Sequence, residues 1–413
     1  MAGGKILKSK PIGRRVRKVA KANKYPKITP LATKYPAPSS PIKAPISGKR
    51  KMFLAEVSMK SSVCAKGIIV RKDSKSLKVF IAFDFDIYPI HSSVEDIGFI
   101  VSFMTQLLKG KKILATGGAG FIGFHLTKKL LELGADVTIY DNLSSGKLEN
   151  VKDNPKAKFV KGDILDLKQL FSLARFDLIY HLAAQVVVPY SMENPIIDFE
   201  TNARGTLNVL EKARKDKSRL VFASSAAVYG NPTKFPTSEE YGFHPFSCYG
   251  LSKVVGEEYC QIYILQYKMD LTVVRFSNVY GSRCHGVIND FLDKLQKNPE
   301  KLEIIGSGQQ ARDFVHVSDI ADALALTAYK RAIGKTLNLG FGETTKIIDL
   351  AQMMLKILNL TDKTKVTTTN VSWQGDIDTI WFDISKSKKE LKWIPKIRLE
   401  DHLRTLIAER NMI

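Results

Sequence analysis

Cysteine is scarce in this chain, and its four copies are scattered at positions 64, 248, 260 and 284. The sequence has no Cys-x-x-Cys pair and no other cysteine spacing typical of metal ligands. This scarcity excludes a small disulfide-stabilised fold and a cysteine-rich zinc site. We therefore expect free thiols, a reducing compartment and no bound metal.

Long hydrophobic runs are also missing. The longest apolar run before the first clear strand, around 97–104, is far shorter than the roughly 20 residues that a membrane-spanning helix needs. The N-terminus lacks the apolar core of a signal peptide. These absences predict a cytoplasmic protein without a membrane span.

Acidic residues are absent from the first 50 positions, although the whole chain has 41 Asp and Glu beside 63 Lys and Arg. Residues 1–103 hold 21 of the basic residues and only 6 of the acidic ones, so they carry most of the formal charge of +22. Segment 1–52, rich in Lys, Arg and Pro, cannot bury enough apolar surface to offset its ordering entropy. We expect residues 1–103 to be a basic extension that is disordered or only partly folded, with a candidate hairpin at 67–83.

From Lys111 onward, strand-like and helix-like segments alternate. The strand-like runs lie at 112–116, 137–140, 158–160, 177–181, 219–224 and 272–276. Such alternation indicates parallel strands joined by right-handed helical crossovers. We predict an α/β protein with a Rossmann-type doubly wound parallel sheet in 104–278. A smaller α/β substrate-binding domain is expected in 279–413, with a segment at about 311–340 returning to the first domain.

The segment KKILATGGAGFIGFHL, residues 111–126, combines a strand, a glycine turn and a helix start. Gly117, Gly120 and Gly123 lack a Cβ, so the backbone can approach a pyrophosphate that faces the helix N-terminus. The next strand ends in Asp141, where a carboxylate can accept hydrogen bonds from ribose hydroxyls. Because that carboxylate would repel a 2′-phosphate, we expect NAD rather than NADP.

Tyr249 and Lys253 are four residues apart in a helical pattern and project from one face. A neighbouring ammonium and a positively charged nicotinamide ring would stabilise the phenolate, which makes Tyr249 a candidate general acid and base. Ser225, just after a strand end, can hydrogen-bond the same sugar hydroxyl. The alternative interpretation is a surface Tyr–Lys pair, which the preceding glycine motif makes much less attractive.

In order along the chain, GGAGFIG, DNLSSG, GDI, HLAA and YGLSK resemble the motifs of the extended short-chain dehydrogenase/reductase family. The resemblance runs from about Met104 to the C-terminus. It implies that Ser225, Tyr249 and Lys253 are catalytic. It also implies a cofactor site that comprises Gly117, Gly120, Phe121, Ile122, Gly123, Asp141, Asn142, Asp163, Ile164, Ala183, Ala184, Asn202, Ser224, Tyr249, Lys253 and Phe276.

Within that family the sequence is most similar to the 4-epimerases of UDP-glucose, UDP-galactose and UDP-N-acetylglucosamine. The similarity is carried by DNLSSGKLENV, HLAAQVVVPYSMENP, ASSAAVYGNP, RFSNVYG and ARDFVHVSDIADA. It implies transient oxidation of the sugar at C4 by NAD while Tyr249 removes the O4 proton, followed by return of the hydride to the other face. The related dehydratases have an Asp-Glu pair after the serine, and UDP-glucuronate decarboxylases have a Glu before VYG. This chain has Ala226 and Ala227 there and so lacks a second acid or base for elimination.

The same resemblance implies a substrate site made of Ser225, Asn278 and Arg312. A guanidinium can bind diphosphate oxygens through two parallel hydrogen bonds, which gives the assignment of Arg312 a physical basis. The resemblance also implies a homodimer that pairs through helices around 195–215 and 249–268.

The sequence departs from the family pattern on the substrate side. Trp373 occupies the position of a second diphosphate-binding Arg, and Val187 that of a sugar-facing Ser. The segment after Gly281 is short, and Ile380, whose bulk bears on acceptance of an N-acetyl group, is of intermediate size. These differences leave the identity of the UDP-sugar open.

Two other functions stay open on the sequence alone. One is another NAD-dependent nucleotide-sugar enzyme, such as a reductase or a dehydratase-like protein. The other is a non-enzymatic NAD-binding protein whose basic extension binds nucleic acid, although that extension has no recognisable nucleic-acid-binding motif. The extension could equally be an upstream addition to the reading frame or a processed targeting segment, because resembling enzymes begin near the position of Met104.

Overall fold

The structure is a computed structural model that describes residues 105–412 and the backbone of two earlier strands, β1 (Ile68–Asp73) and β2 (Ser76–Ile81). These two strands pair in a sheet of their own, which confirms the hairpin predicted at 67–83. The rest of the basic extension, including Cys64 and the expected disorder, lies outside the described residues.

Seven strands form the central sheet, and every neighbouring pair is parallel. They are β3 (Lys112–Thr116), β4 (Asp136–Asp141), β5 (Lys158–Lys161), β6 (Leu178–His181), β7 (Arg219–Ser225), β8 (Leu271–Phe276) and β13 (Thr336–Leu339). Their order is β13-β8-β7-β6-β3-β4-β5. The chain runs outward from β3 to β5 and returns to the other side of β3 at β6. The predicted Rossmann-type doubly wound sheet is confirmed, with its topological switch point between β3 and β6.

Helices connect these strands and cover the sheet. They are α1 (Phe121–Glu132), α2 (Leu148–Lys152), α3 (Leu167–Ser172), α4 (Val188–Glu193), α5 (Pro195–Phe199), α6 (Gly205–Asp216), α7 (Cys248–Tyr267), α8 (Val287–Lys297), α9 (Val317–Leu326), α10 (Ile347–Ile357), α11 (Ser385–Leu391) and α12 (Leu399–Glu409). The chain also forms one π-helical turn (Glu200–Arg204) and three 3-10 turns (Ala226–Tyr229, Glu239–Tyr241, Lys330–Ala332). Ser247 caps α7, because its hydroxyl accepts a hydrogen bond from the Gly250 amide at 3.1 Å.

The two faces of the sheet bury separate cores because successive side chains on a strand point to opposite sides. Ile113 and Ala115 of β3 belong to the core that contains Leu126 of α1 and Leu324 of α9. Leu114, between them, belongs to the opposite core with residues of α6 and α7. The two cores therefore hold α1 and α7 against the sheet. The first residues of α1 belong to the predicted cofactor site, and α7 carries Tyr249 and Lys253.

The C-terminal part adds short strands and a third core. The strands are β9 (Asn278–Tyr280), β10 (Lys301–Ile304), β11 (Ala311–Arg312), β12 (Phe314–His316), β14 (Thr345–Lys346) and β15 (Lys365–Thr368). They pair as β9 with β12, β10 with β15 and β11 with β14. Residues of α8, α10 and α12 share one apolar cluster beside them. The predicted return segment, 311–340, contains α9 and β13, which belong to the main sheet and its core; the domain boundaries themselves stay a prediction.

A cluster of aromatic and imidazole side chains holds α12 against the rest of the molecule. The rings of His316 and His402 lie 4.2 Å apart, and Tyr280 is 5.5 Å from His402. Burial lowers the pKa of His316 to about 3, with the neighbouring His402 and His125 acting in the same direction. Burial likewise lowers the pKa of His125 to about 4 and reduces that of His402. The folded protein therefore keeps these imidazoles neutral.

Acid should destabilise the fold between about pH 6.5 and pH 4. Each folded-state pKa lies below that of a free imidazole, so the unfolded chain binds more protons in this range and stability falls as the pH drops. Replacing His402 by Phe keeps a ring in the cluster and removes one titrating group. The melting temperature should fall between pH 7 and pH 5 in both proteins. We expect the fall to be smaller in the variant than in the wild type by at least about 3 °C. Melting curves of both proteins and of the exposed-site control His285→Phe would test this; equal pH dependence in all three would contradict it.

Within residues 105–412, no helix is long and apolar enough to cross a membrane. Cys248, Cys260 and Cys284 are free thiols. The same part of the chain contains no group of three or more His, Cys, Asp or Glu side chains placed to hold a metal ion.

Candidate active site

The glycine turn between β3 and α1 has a backbone that side chains would obstruct. Gly117 has a φ of +69°, and a Cβ there would lie 2.6 Å from the Ala183 nitrogen. A Cβ on Gly123 would lie 2.2 Å from the Gly117 carbonyl oxygen. Gly120 differs, because a Cβ on it would approach only that same oxygen, at 3.2 Å, and would otherwise point into open space. Gly117 and Gly123 thus allow the tight turn. Gly120 leaves an open space above the turn, which we call the cradle.

The helix that follows this turn offers its N-terminus to the same space. Gly120 is the N-cap of α1, and no side chain caps the helix. Backbone N–H groups in the first turn of a helix lack partners within the helix and favour an anion. Phe121 and Ile122 begin the helix and are half-buried. The turn therefore fits a dinucleotide pyrophosphate.

Asp141 fastens the glycine turn to the end of β4. Its carboxylate accepts hydrogen bonds from the amides of Ala119 at 3.0 Å and Leu143 at 2.8 Å. Burial raises the pKa of Asp141, and these two amides oppose the rise. Each carboxylate oxygen has a second lone pair, so Asp141 keeps the capacity to accept bonds from ribose hydroxyls.

The adenine side of the predicted site is formed after β4, β5 and β6. Asn142 donates to the Asp163 carboxylate at 2.9 Å, and the other oxygen of Asp163 accepts from the Leu165 amide at 2.8 Å. Ile164 is buried and packs closely against Gly205, because a Cβ on that glycine would lie only 2.5 Å from the Ile164 Cδ1. The remaining predicted cofactor residues of the sheet lie at strand ends: Ala183 and Ala184 follow β6 and are half-buried, and Phe276 ends β8 and is buried.

Ser225, Tyr249 and Lys253 meet at the end of β7. The Ser225 side chain lies beside the Tyr249 phenol and lowers its pKa, and Ser225 stands at the last position of the strand. The Lys253 ammonium lies 5.9 Å from the centroid of the Tyr249 ring and donates to the Ala223 carbonyl at 2.9 Å. The structure therefore brings together the three side chains that the sequence assigned to the chemistry.

Burial dominates the acid–base properties of this trio. It raises the pKa of Tyr249 to about 12, against the effect of the neighbouring Ser225 side chain. It lowers the pKa of Lys253 to about 8, while the carboxylates of Asp198 and Glu257 act in the opposite direction. The phenol is thus protonated at neutral pH in the protein alone. A positive charge next to the ring would favour the phenolate.

Asn202 lies in the π-helical turn behind the trio and is buried. Its side chain accepts from the Gln185 amide and donates to the Gln185 carbonyl, each at 2.9 Å. It also donates to Asp198 at 3.0 Å and to Ser252 at 3.2 Å. Asn202 therefore joins the loop after β6 to the helix that carries Tyr249.

Ser224 points away from Ser225, as neighbouring residues of a strand do. Its hydroxyl donates to the Glu257 carboxylate at 2.5 Å, and the residue is buried. The hydroxyl is committed to this bond, so any contact between Ser224 and a cofactor has to come from its backbone.

The predicted substrate residues Asn278 and Arg312 lie on β9 and β11. The Asn278 side-chain oxygen is buried without a hydrogen-bond partner among the described residues. Arg312 is buried and forms an ion pair with Asp376 at 2.7 Å. Burial lowers the pKa of Arg312, and Asp376 opposes this effect. The sequence did not reveal that a carboxylate already occupies one side of the guanidinium.

The positions that depart from the family pattern surround this region. Trp373 and Val187 are exposed, at 42% and 55% of their surface. A Cβ on Gly375 would lie 3.3 Å from Val188 and 3.1 Å from the Ser247 Cβ, so the turn that bears Trp373 sits close to the start of α7. Ile380 packs against the small cluster of Ala227, Tyr249 and Ile377.

Comparison with known proteins places this arrangement in a family. The family described as GDP-mannose 4,6 dehydratase matches residues 114–406. A putative UDP-glucose 4-epimerase of Methanocaldococcus jannaschii is 40% identical over 71% of this chain and 97% of its own length. UDP-glucuronic acid decarboxylase 1 of Danio rerio is 34% identical over 72% of each protein.

Solved structures agree with these relatives. The UDP-glucose 4-epimerase of Thermotoga maritima, solved with UDP-glucose, has a TM-score of 0.68 and 36% identity over 73% of this chain and 98% of its own. The UDP-glucose 4-epimerase of Thermus thermophilus, solved with NAD, has a TM-score of 0.66 and 30% identity over 73% and 99%. The fold, the glycine turn and these similarities together show that the chain belongs to the GDP-mannose 4,6 dehydratase family, within the extended short-chain dehydrogenases/reductases that act on nucleotide sugars.

Proposed function

We propose that the protein is an NAD-dependent 4-epimerase of a UDP-hexose, either UDP-glucose and UDP-galactose or their N-acetyl forms. The observation that carries the proposal is the meeting of Ser225, Tyr249 and Lys253 at one strand end, next to positions 226 and 227 that supply only methyl groups. The cradle at Gly120 and the uncapped start of α1 fit NAD. NAD, when bound, supplies a nicotinamide that reversibly accepts a hydride.

The residues of this chain supply the proton transfer. The Tyr249 phenol lies beside the Ser225 hydroxyl, and the two hydroxyls can share the O4 hydroxyl of a sugar. Lys253 lies beside the ring of Tyr249. Its ammonium therefore stabilises the phenolate that exists after Tyr249 has given up its proton. Tyr249 removes the O4 proton during oxidation at C4 and returns it during reduction. The sugar presents its other face between the two steps, which inverts C4 with no net redox change.

Asn278 and Arg312 are proposed to bind the nucleotide diphosphate. Arg312 shares its guanidinium with Asp376, and the exposed Trp373 supplies no second cation. A diphosphate therefore meets a single, partly neutralised Arg, and we expect affinity to depend strongly on contacts with the base and sugar.

The decarboxylase relatives define the main competitor for this assignment. A decarboxylase or dehydratase of this family needs an acid after the catalytic serine, whereas Ala226 and Ala227 are buried methyl groups. Proton NMR of the purified protein with NAD and each of UDP-glucose, UDP-galactose, UDP-N-acetylglucosamine, UDP-glucuronate and dTDP-glucose would decide. We expect interconversion of a 4-epimer pair and no reaction of the last two. Release of a UDP-pentose from UDP-glucuronate, or a 4-keto-6-deoxy sugar from dTDP-glucose, would reject the proposal.

An apolar surface on α5 and α7 supports the proposed homodimer. The two helices pack against each other, and they expose the large apolar side chains of Ile196, Ile197, Phe199, Leu251, Ile262 and Leu265. Exposed apolar patches of this kind mark protein–protein contacts. The surface is proposed to face the same surface of a second copy.

Replacing Ile262 by Asp should convert the dimer to a monomer, because it places a charge in the middle of that surface. Light scattering coupled to gel filtration measures the mass directly. Ile394→Asp, at an exposed position outside these helices, is the matched control and should stay dimeric. A monomeric wild-type protein, or a dimer that tolerates the Asp at 262, would reject this interface.

A further inference from the structure

Three side chains on one face of α7 hold three successive residues at the end of β7. The Tyr249 phenol lies beside Ser225, and Lys253 donates to the Ala223 carbonyl at 2.9 Å. Glu257, four residues further along the helix, accepts from the Ser224 hydroxyl at 2.5 Å. The spacing of four residues keeps the three side chains on one stripe. The stripe therefore extends one turn beyond the two residues expected from the sequence.

Glu257 is itself fixed from the neighbouring strand. Arg275 on β8 stands opposite Ser224 in the sheet register. Its guanidinium donates to both oxygens of Glu257, at 2.9 Å from Nε and 2.7 Å from Nη2. Both side chains are at least 95% buried. A third donor of Arg275 reaches the Tyr229 hydroxyl at 2.7 Å, which ties the pair to the 3-10 turn after Ser225.

The close approach of helix and strand leaves little freedom around this contact. A Cβ on Gly256 would lie 2.6 Å from the Phe222 ring, and one on Gly250 would lie 2.5 Å from the Ala227 carbonyl. Because these two positions have no side chain, α7 packs closely against β7 and the turn after it. In this close packing the Glu257–Arg275 pair connects α7 to β8, and Glu257 also contacts the end of β7 through Ser224.

We propose that Glu257, held by Arg275, is a positioning residue that fixes Ser224 on the strand end and lies one helical turn from Lys253, and that it thereby sets the geometry and charge of the Ser225–Tyr249–Lys253 trio. This inference rests on the proposed function, since it concerns the same reaction. Glu257 touches no reacting atom. It acts through the strand end that carries Ser225 and through the ammonium four residues before it.

Two carboxylates, Asp198 and Glu257, act on the Lys253 ammonium, and the nearby Cys260 thiol is kept neutral by burial, which raises its pKa. Asp198 approaches from α5, while Glu257 and Cys260 lie on α7 itself. His181 of β6 is kept neutral by burial, which lowers its pKa to about 3. Glu257 favours the ammonium against the effect of burial. Removing its charge should therefore deprotonate Lys253 at a lower pH.

The test compares Glu257→Gln with Ser224→Ala in the full-length protein with bound NAD. We expect Glu257→Gln to lower kcat about 10-fold or more with little change in KM, and to move the alkaline limb of the kcat profile at least about half a pH unit toward acid. Ser224→Ala removes only the hydroxyl and should lower kcat less, without moving the limb. Glu211→Gln, which removes a half-exposed carboxylate from α6, is the control and should match the wild type.

A second measurement does not depend on turnover. The lysine 13Cε resonance of Lys253, assigned with Lys253→Met, reports its titration directly, and we expect a lower midpoint in Glu257→Gln. A wild-type kcat profile and an unchanged Lys253 titration in Glu257→Gln would overturn the inference. If Glu257→Gln fails to fold, an unchanged kcat in Ser224→Ala would overturn it. A wild-type protein that epimerises no nucleotide sugar would reject the proposed function instead, and the Lys253 titration would still decide whether Glu257 sets the charge.

Discussion

Replacing Tyr249 by Phe is expected to lower kcat for C4 epimerisation by about 1,000-fold or more, because the site then has no group to exchange the O4 proton. Only the hydroxyl is lost, while the buried ring and its packing beside Ala227 and Ile377 are kept. NAD affinity should fall by no more than about 10-fold, since one hydrogen bond to the cofactor ribose contributes about 0.5–1.5 kcal/mol net. Initial rates from proton NMR and NAD titrations followed by fluorescence measure the two effects separately.

Tyr259→Phe is the matched control, because Tyr259 lies on the same helix with its side chain partly exposed to solvent. It should retain the wild-type kcat. If Tyr249→Phe kept more than about one tenth of the wild-type rate, a phenol would not be the acid and base of the reaction.

Gly120→Ala should weaken NAD binding by at least about 10-fold and leave the fold intact. The backbone at Gly120 has a φ of −74° and a ψ of 179°, which any residue adopts. Its added methyl group would meet one carbonyl oxygen at 3.2 Å and otherwise fill the space proposed for the pyrophosphate. We expect a melting temperature within about 3 °C of the wild type without NAD, and a smaller rise on adding it.

Gly123→Ala separates loss of the cofactor from loss of the fold. Its Cβ would lie 2.2 Å from a backbone oxygen, so the start of α1 has to move and the protein should melt at a clearly lower temperature even without NAD. If Gly120→Ala bound NAD as the wild type does, the pyrophosphate would not lie over this turn.

The sheet was largely predictable because buried parallel strands leave short apolar runs at regular intervals. The run predicted at 219–224 is β7, Arg219–Ser225, and the run at 112–116 matches β3. The place of β13 was harder to predict. Residues 335–340 show a short strand, but the strand that pairs with it, β8, lies far back in the sequence, and local patterns cannot show such pairing.

The meeting of Ser225, Tyr249 and Lys253 was predictable because Tyr249 and Lys253 lie one helical turn apart and the strand before them ends in a serine. The residues that surround the predicted site residues were harder to predict from the sequence. The partner of Arg312 is Asp376, which is 64 residues away, and no local spacing connects them. Glu257 could have been found, since it continues the same four-residue spacing. The alternation of side chains along a strand could likewise have shown that Ser224 and Ser225 face opposite ways.

Transfer of a C4 deuterium tests the central claim most directly. UDP-[4-²H]galactose, and separately its N-acetyl form, would be incubated with the purified protein and followed by proton NMR and mass spectrometry. We predict that C4 inverts in one of them, with the deuterium retained at C4 and no accumulation of NADH, because the hydride leaves and returns within one site. Inversion with washout of deuterium, a stable keto sugar, or turnover of neither compound would contradict the account.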